Sequence, residues 1–142
     1  MGANVLPFVF VEDYMATDTN HFECANPILR VEDMAAAVRY YTEILGFKNA
    51  SWGNEYFTSV NRDRAGIYLC KGAQGYVGGW AWVGVENVSK LYDELKARGA
   101  KVRHAPRNYP WAMEFHVEDP DGNVLRFGSE PDESRPWDNW QD

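Results

Sequence analysis

One arrangement of residues occurs twice along this chain, and that repeat limits the possible folds more than any other feature. "NPILRV" at 26–31 reads as a strand, and "EDMAAAVRYYTEILGF" after it reads as a helix. Asp33 suits an N-cap, and Met34, Ala37, Val38, Tyr41, Ile44 and Leu45 recur at helical spacing. Gly46 suits a left-handed stop. "GWAWVGVENVSKLYDELKARGAKV" repeats the design, with a strand, then Asn87 as N-cap. Val88, Leu91, Tyr92 and Leu95 form the stripe, and Gly99 ends the helix. "LRVED" at 29–33 parallels "VGVEN" at 83–87. Beyond each helix the pattern recurs again: "WGNEYF" at 52–57 matches "WAMEFH" at 111–116, and each leads into a strand, a polar turn and a second strand. The turns are "NRDRAG" at 61–66 and "EDPDGN" at 118–123. In the second turn Pro120 presets φ, and Asp121-Gly122 tolerates unusual backbone angles.

The repeat predicts an α+β fold of two βαβββ modules. Neither module can bury both its sheet face and its helix alone. Laid edge to edge, the two form a curved, partly open mixed sheet with helices outside and a concave inner face. The expected divisions are an N-terminal extension at 1–24, a first module at 25–71, a linker at 72–79, a second module at 80–130 and an acidic tail at 131–142. A chain of 142 residues suits one domain, or one domain built of two similar modules.

Side chains of a strand alternate between its two faces, which sorts the candidate residues. In the last hairpin Phe115, Val117, Leu125 and Phe127 belong to the helix-covered side. Glu114, His116, Val124 and Arg126 then line the concavity. In the first strand Pro27, Leu29 and Val31 go to the helices, and Asn26, Ile28 and Arg30 go inward. In the strand after the linker Ala81, Val83 and Val85 pack on helices, leaving Trp80, Trp82 and Gly84 inside. Phe57 and Tyr68 join Asn26, Trp80, Trp82, Glu114, His116 and Arg126 in the candidate ligand-binding set.

Composition excludes several function classes. A net charge of -7 and a pI near 4.9 oppose non-specific nucleic-acid binding, which needs a basic surface, and are compatible with a cationic ligand. Aromatic residues make up 15%, enough for a flat-walled pocket or an aromatic core. Two cysteines, Cys24 and Cys70, make no disulfide framework and no CxxC, so free, mostly buried thiols in the cytoplasm are expected. No apolar run approaches the ~20 residues that span a bilayer. The start has a short apolar run, Phe8 to Val11, with no basic region before it, so a secretory signal is not expected. "GAQGYVGG" at 72–79 lacks the lysine of a phosphate loop.

The stretches "NPILRVEDMAAAVRYYTEILGF", "WVGVENVSKLYDELKARGAKV" and "MEFHVEDPDGNVLRFGSE" resemble the vicinal oxygen chelate superfamily. That superfamily includes glyoxalase I, extradiol dioxygenases, fosfomycin-resistance enzymes and bleomycin-resistance proteins. The resemblance covers roughly residues 24–130. Metal-dependent members present two His (or Gln) and a Glu, and the resemblance puts Asn26, Trp80 and Arg126 at those three positions. Trp and Arg cannot ligate a divalent cation, and Asn is a weak ligand. No metal and no cofactor is therefore expected. The ending "MEFHVEDPDGNVLRFG" is similar to the bleomycin-resistance branch, which implies a homodimer with exchanged arms or modules and grooves for a cationic drug.

Each candidate also has a plain structural reading. Glu114 and Arg126 can be a salt bridge across a hairpin, Trp80 and Trp82 can fill a core, and His116 can be a hydrogen-bonded strand residue. His21 and His104 read as solvated loop residues, and Cys70 as a buried small side chain. The tail carries Trp137 and Trp140, which argue for docking where an acidic tail is usually solvated. The resulting expectation is a cytoplasmic homodimer that binds a cationic or aromatic small molecule without chemistry, a bleomycin-type antibiotic being the concrete case. The alternatives are a divergent metal-dependent lyase, isomerase or dioxygenase with ligands around His116 and Glu114, and a partner protein with a filled, vestigial pocket.

Overall fold

A computed structural model describes residues 20–140. The Phe8–Val11 run and most of the expected extension lie outside the described residues.

The first module runs β1 (Ile28–Val31), α1 (Met34–Arg39), β2 (Lys48–Asn49), β3 (Phe57–Arg62) and β4 (Ala65–Lys71). The second runs β5 (Trp80–Gly84), α2 (Val88–Ala97), β6 (Lys101–Val102), β7 (Arg107–Asn108), β8 (Met113–Glu118) and β9 (Val124–Ser129). The sheets have orders β1-β4-β3-β2 and β5-β9-β8-β6, the same topology twice, with the first strand parallel to the last in each. The short β7 also pairs with β8. The duplication read in the sequence is thus a duplication of hydrogen-bond pattern.

Both helices begin as their caps predict: Asp33 accepts from the Ala36 amide and Asn87 from the Lys90 amide. Gly46 and Gly99 end them with φ of 77° and 89°. The first helix differs from a plain α-helix, because Tyr40–Ile44 continues it as a π-helix, with the Leu45 amide bonded to the Tyr40 carbonyl. At this wider turn the neighbouring tyrosines reach the same hairpin. Tyr40 donates to the Glu118 carbonyl and Tyr41 to the Asp119 carboxylate.

The helix-bearing faces of both sheets enter one core, in which Leu29, Val31, Tyr41 and Leu69 join Val83, Leu95, Phe115 and Leu125. Two sheets of opposite modules therefore share their apolar sides, and their other faces look outward. Among the described residues no strand pairing joins β1 to β5, and each is the edge of its own sheet.

The "DPDGN" turn fastens the modules together. Wholly buried Asn123 donates to the Arg30 carbonyl and to Asp119, and accepts from the Gly79 amide. Asp119 also accepts from the amides of Asp121 and Asn123, while burial pushes its carboxyl above the usual range and pushes the Tyr41 phenol up as well. One turn thereby contacts the first strand, the first helix and the segment leading into β5. Arg62 adds a second link between modules through Glu94 at 3.0 Å.

One sequence expectation needs correction. Cys70 is buried, but Cys24 is exposed, because it precedes β1 and none of the described strands or helices covers it. The tail docks, as its tryptophans argue, although most of its residues stay exposed. Wholly buried Asn108 on β7 holds it through its side chain, which donates to the carbonyls of Asp132 and Pro136 and accepts from the Asp132 amide. The Asn108 amide also donates to the Asp138 carboxylate.

Candidate functional site

Alternation in β5, β8 and β9 brings Trp80, Trp82, Glu114, His116 and Arg126 to one face, opposite the core. The register sets Trp82 beside Arg126 and His116 beside Arg126 on the other flank.

At the centre lies an ion pair. Glu114 is 1% exposed, and its Oε1 accepts from Arg126 Nε at 3.1 Å and Nη2 at 2.9 Å. Its Oε2 accepts from Trp82 Nε1 at 3.2 Å. Both carboxylate oxygens are therefore occupied from within the chain. The Trp82 indole lies across two glycines: a Cβ added to Gly84 would meet it at 2.9 Å, and one added to Gly128 at 2.7 Å. Glycine at these two positions lets a large ring lie flat on the sheet.

Beside the pair, Trp80 packs edge-on against the His116 ring at 5.2 Å, with the Arg103 guanidinium over Trp80 at 5.4 Å. His116 packs against His104 at 4.5 Å. Its Nδ1 is buried without a hydrogen-bond partner, and its imidazole is pushed down to about 4, first by burial and then by His104, Arg126 and Arg103. At neutral pH it is uncharged. The plain reading of His116 as a hydrogen-bonded residue fails here. So does that of His104 as a solvated one: it is half-buried, with Nε2 closed off and Nδ1 on the Ala105 carbonyl.

The sequence does not single out Trp111, and it leaves the docking place of Trp140 open. Trp140 covers the Arg126 guanidinium at 5.5 Å and packs against Trp111 and Tyr109 at 5.8 and 5.7 Å. The signal for Trp140 was a tryptophan pair in an acidic tail. Trp111 had none beyond its place before β8.

The remaining candidates stand on the other sheet. Phe57 and Tyr68 contact each other at 5.3 Å, and Trp52 joins them. Asn26 donates to the Gly66 carbonyl. Among the described residues no hydrogen bond or ring contact joins this group to the Trp80–Arg126 group. Between the modules runs an open cleft of about 1490 Å³, which reaches Asn26 on one side and Trp82 and Trp111 on the other.

The three positions that the metal-dependent pattern implies do not fit a divalent cation. Indole and guanidinium offer no lone pair, the Asn26 amide oxygen accepts from the Cys24 thiol, and Glu114 is already engaged by Arg126 and Trp82. Among the described residues no three His, Cys, Asp or Glu side chains are grouped to hold a metal. Nor is any described helix long and apolar enough to cross a membrane.

Two βαβββ modules of identical topology, with an outward face at corresponding strands, define a glyoxalase-like fold. The model of the Glyoxalase/Bleomycin resistance protein/Dioxygenase superfamily matches residues 19–127, and the chain belongs to that superfamily. Among solved structures, the bleomycin-binding protein of bleomycin-producing Streptomyces verticillus, complexed with copper(II)-bleomycin, is similar at 24% identity and TM-score 0.68, over 80% of this chain and 100% of that one. A glyoxalase/bleomycin resistance protein/dioxygenase from Nocardioides is similar at 20% and 0.63, over 87% and 93%. A lactoylglutathione lyase from Agrobacterium tumefaciens is similar at 17% and 0.63, over 78% and 96%. A search of curated protein sequences gives no match.

Proposed function

We propose that the chain is a metal-free binding protein for a bulky small molecule with aromatic or cationic groups, and that the Trp80–Trp82–Glu114–His116–Arg126 face is its ligand seat. One observation carries the reading: four tryptophans on this face, Trp80, Trp82, Trp111 and Trp140, stay 47%, 58%, 53% and 56% exposed. Large rings left open to water in a connected patch mark a binding surface. The vestigial reading needs them packed together and dry.

A homodimer belongs to the same proposal. Among the described residues no strand pairs with the outer edge of β1 or β5, and a second copy can bring its Phe57–Tyr68 face against the Trp80–Arg126 face. Asn26, Phe57 and Tyr68 then line the far wall of the groove. Light scattering at micromolar protein should give twice 16.2 kDa, and a mass near one chain refutes the dimer.

Sequestration of a bleomycin-type antibiotic in the cytoplasm is the concrete form, supported by the similarity to the bleomycin-binding protein. Titrating copper(II)-bleomycin against tryptophan fluorescence tests it. No change at concentrations of about tens of micromolar removes the drug assignment. The enzymatic alternative requires Glu114 to act as ligand or base, and its hydrogen bonds to Arg126 and Trp82 speak against that. Stoichiometric zinc, nickel, iron or manganese in protein purified without chelator would revive it.

A further inference from the structure

We propose that the strap formed by residues 131–140 sets the ligand class of the aromatic face: Trp140 covers the Arg126 guanidinium, so the face takes flat cationic or uncharged aromatic groups and turns anions away. The inference rests on the ligand-seat reading above and goes beyond it. The strap lies past residue 127, where the superfamily match ends.

The first observation is how firmly the strap is held. Asn108 binds it at three residues: the Asp132 amide at 2.9 Å, the Asp132 carbonyl at 2.8 Å, the Pro136 carbonyl at 3.3 Å, and Asp138 through both backbone and side chain. A buried asparagine with its side-chain oxygen and nitrogen both used gives the segment a defined position, not a loose one. Pro136 and Pro131 restrict the backbone further.

The second is where that position puts Trp140. Its ring lies over a guanidinium whose Nε and Nη2 already bind Glu114. An anionic group would have to displace Trp140 and compete with a carboxylate that is itself buried. The other cation near Trp80, Arg103, lies 3.6 Å from Glu118. Arg107 stands cross-strand from Glu114 on the same face, its buried Nη1 without a hydrogen-bond partner, in a small pocket it shares with His104 and the strap's Asp138. The strap itself adds Asp132, Glu133 and Asp138 against one cation, Arg135. Over Arg126 the open ring surface of Trp140 and Trp111 is then what a ligand meets, beside a neutralised pair, and an aromatic face favours a cation.

The test uses the full chain and two planar probes of opposite charge, proflavine as the cation and 1-anilinonaphthalene-8-sulfonate as the anion, titrated by calorimetry. Trp140 is exposed and lies outside the apolar core shared by the two sheets, so Trp140→Ala should fold. The wild-type protein should prefer proflavine. Trp140→Ala should lose about fivefold to tenfold of that affinity and gain affinity for the anion as Arg126 is uncovered, while Trp140→Phe should restore the wild-type order. Affinities for both probes within twofold of wild type in Trp140→Ala overturn this inference and leave the ligand seat standing. An equal loss for both probes also overturns it, because Trp140 would then be a stacking surface without selectivity. So does a wild-type preference for the anion. A wild-type protein that binds neither probe nor copper(II)-bleomycin overturns the ligand-seat reading itself.

Discussion

Removing Arg126 should destabilise the protein more than removing its partner Glu114, although the two share one ion pair. The reason is unequal burial. Glu114 is 1% exposed, and without Arg126 its carboxylate keeps only the Trp82 indole N–H. Stranding a buried charge costs about 3–5 kcal/mol, so Arg126→Ala should lie in that range. The Arg126 side chain is 27% exposed, so without Glu114 it can turn toward water. Glu114→Ala should then cost about 2–3 kcal/mol, the worth of hydrogen bonds to a charged group. The double variant strands no charge, and its cost should fall about 3 kcal/mol short of the sum. Urea unfolding followed by far-ultraviolet circular dichroism measures all three without relying on tryptophan emission. For a chain of this size Arg126→Ala should lower Tm by on the order of 10 °C. Equal or reversed costs of the two single changes, or strict additivity, would refute the argument from burial.

Two further outcomes follow from the same face. The His116 imidazole titrates near 4, below its ordinary 6.5, so above pH 6.5 it is neutral in folded and unfolded chains alike. As pH falls from 6.5 toward 4 the unfolded chain takes up a proton that the folded one refuses, and about 3 kcal/mol of stability should be lost. His104, also lowered by burial, adds to the trend, and His116→Gln should flatten the pH profile measured by chemical unfolding; an unchanged slope would place the shift elsewhere. Gly128→Ala puts a Cβ 2.7 Å from the Trp82 ring. Because that ring is more than half exposed, it should swing away at a stability cost under about 1 kcal/mol, lose its bond to Glu114 and shift its fluorescence to the red. An unshifted spectrum would mean the ring does not lie on the glycines.

The sequence alone determined the local elements and the two faces of each strand. Caps, apolar stripes and stop glycines act over a few residues, so Asp33, Asn87, Gly46 and Gly99 announce their helices without help from the rest of the chain. Strand alternation is equally local, which is why it sets Glu114, His116 and Arg126 opposite Phe115, Val117, Leu125 and Phe127. The repeat then carried the fold class, because equal patterns make equal hydrogen-bond topologies.

Only the tertiary structure decided how the faces meet. That both apolar sides share one core, turning the Phe57–Tyr68 and Trp80–Arg126 faces outward on separate sheets, depends on packing between modules far apart in sequence. The same holds for Asn123, legible as part of a turn but not as the residue that holds Arg30 and Gly79, and for Asn108, silent in the sequence yet the anchor of the strap. The π-helical turn and the seat of Trp140 belong here too. A tryptophan pair signals that a tail will dock, but the docking place is a sum of long-range contacts. Local patterns do not encode such sums, so the guanidinium beneath Trp140 could be found only in three dimensions.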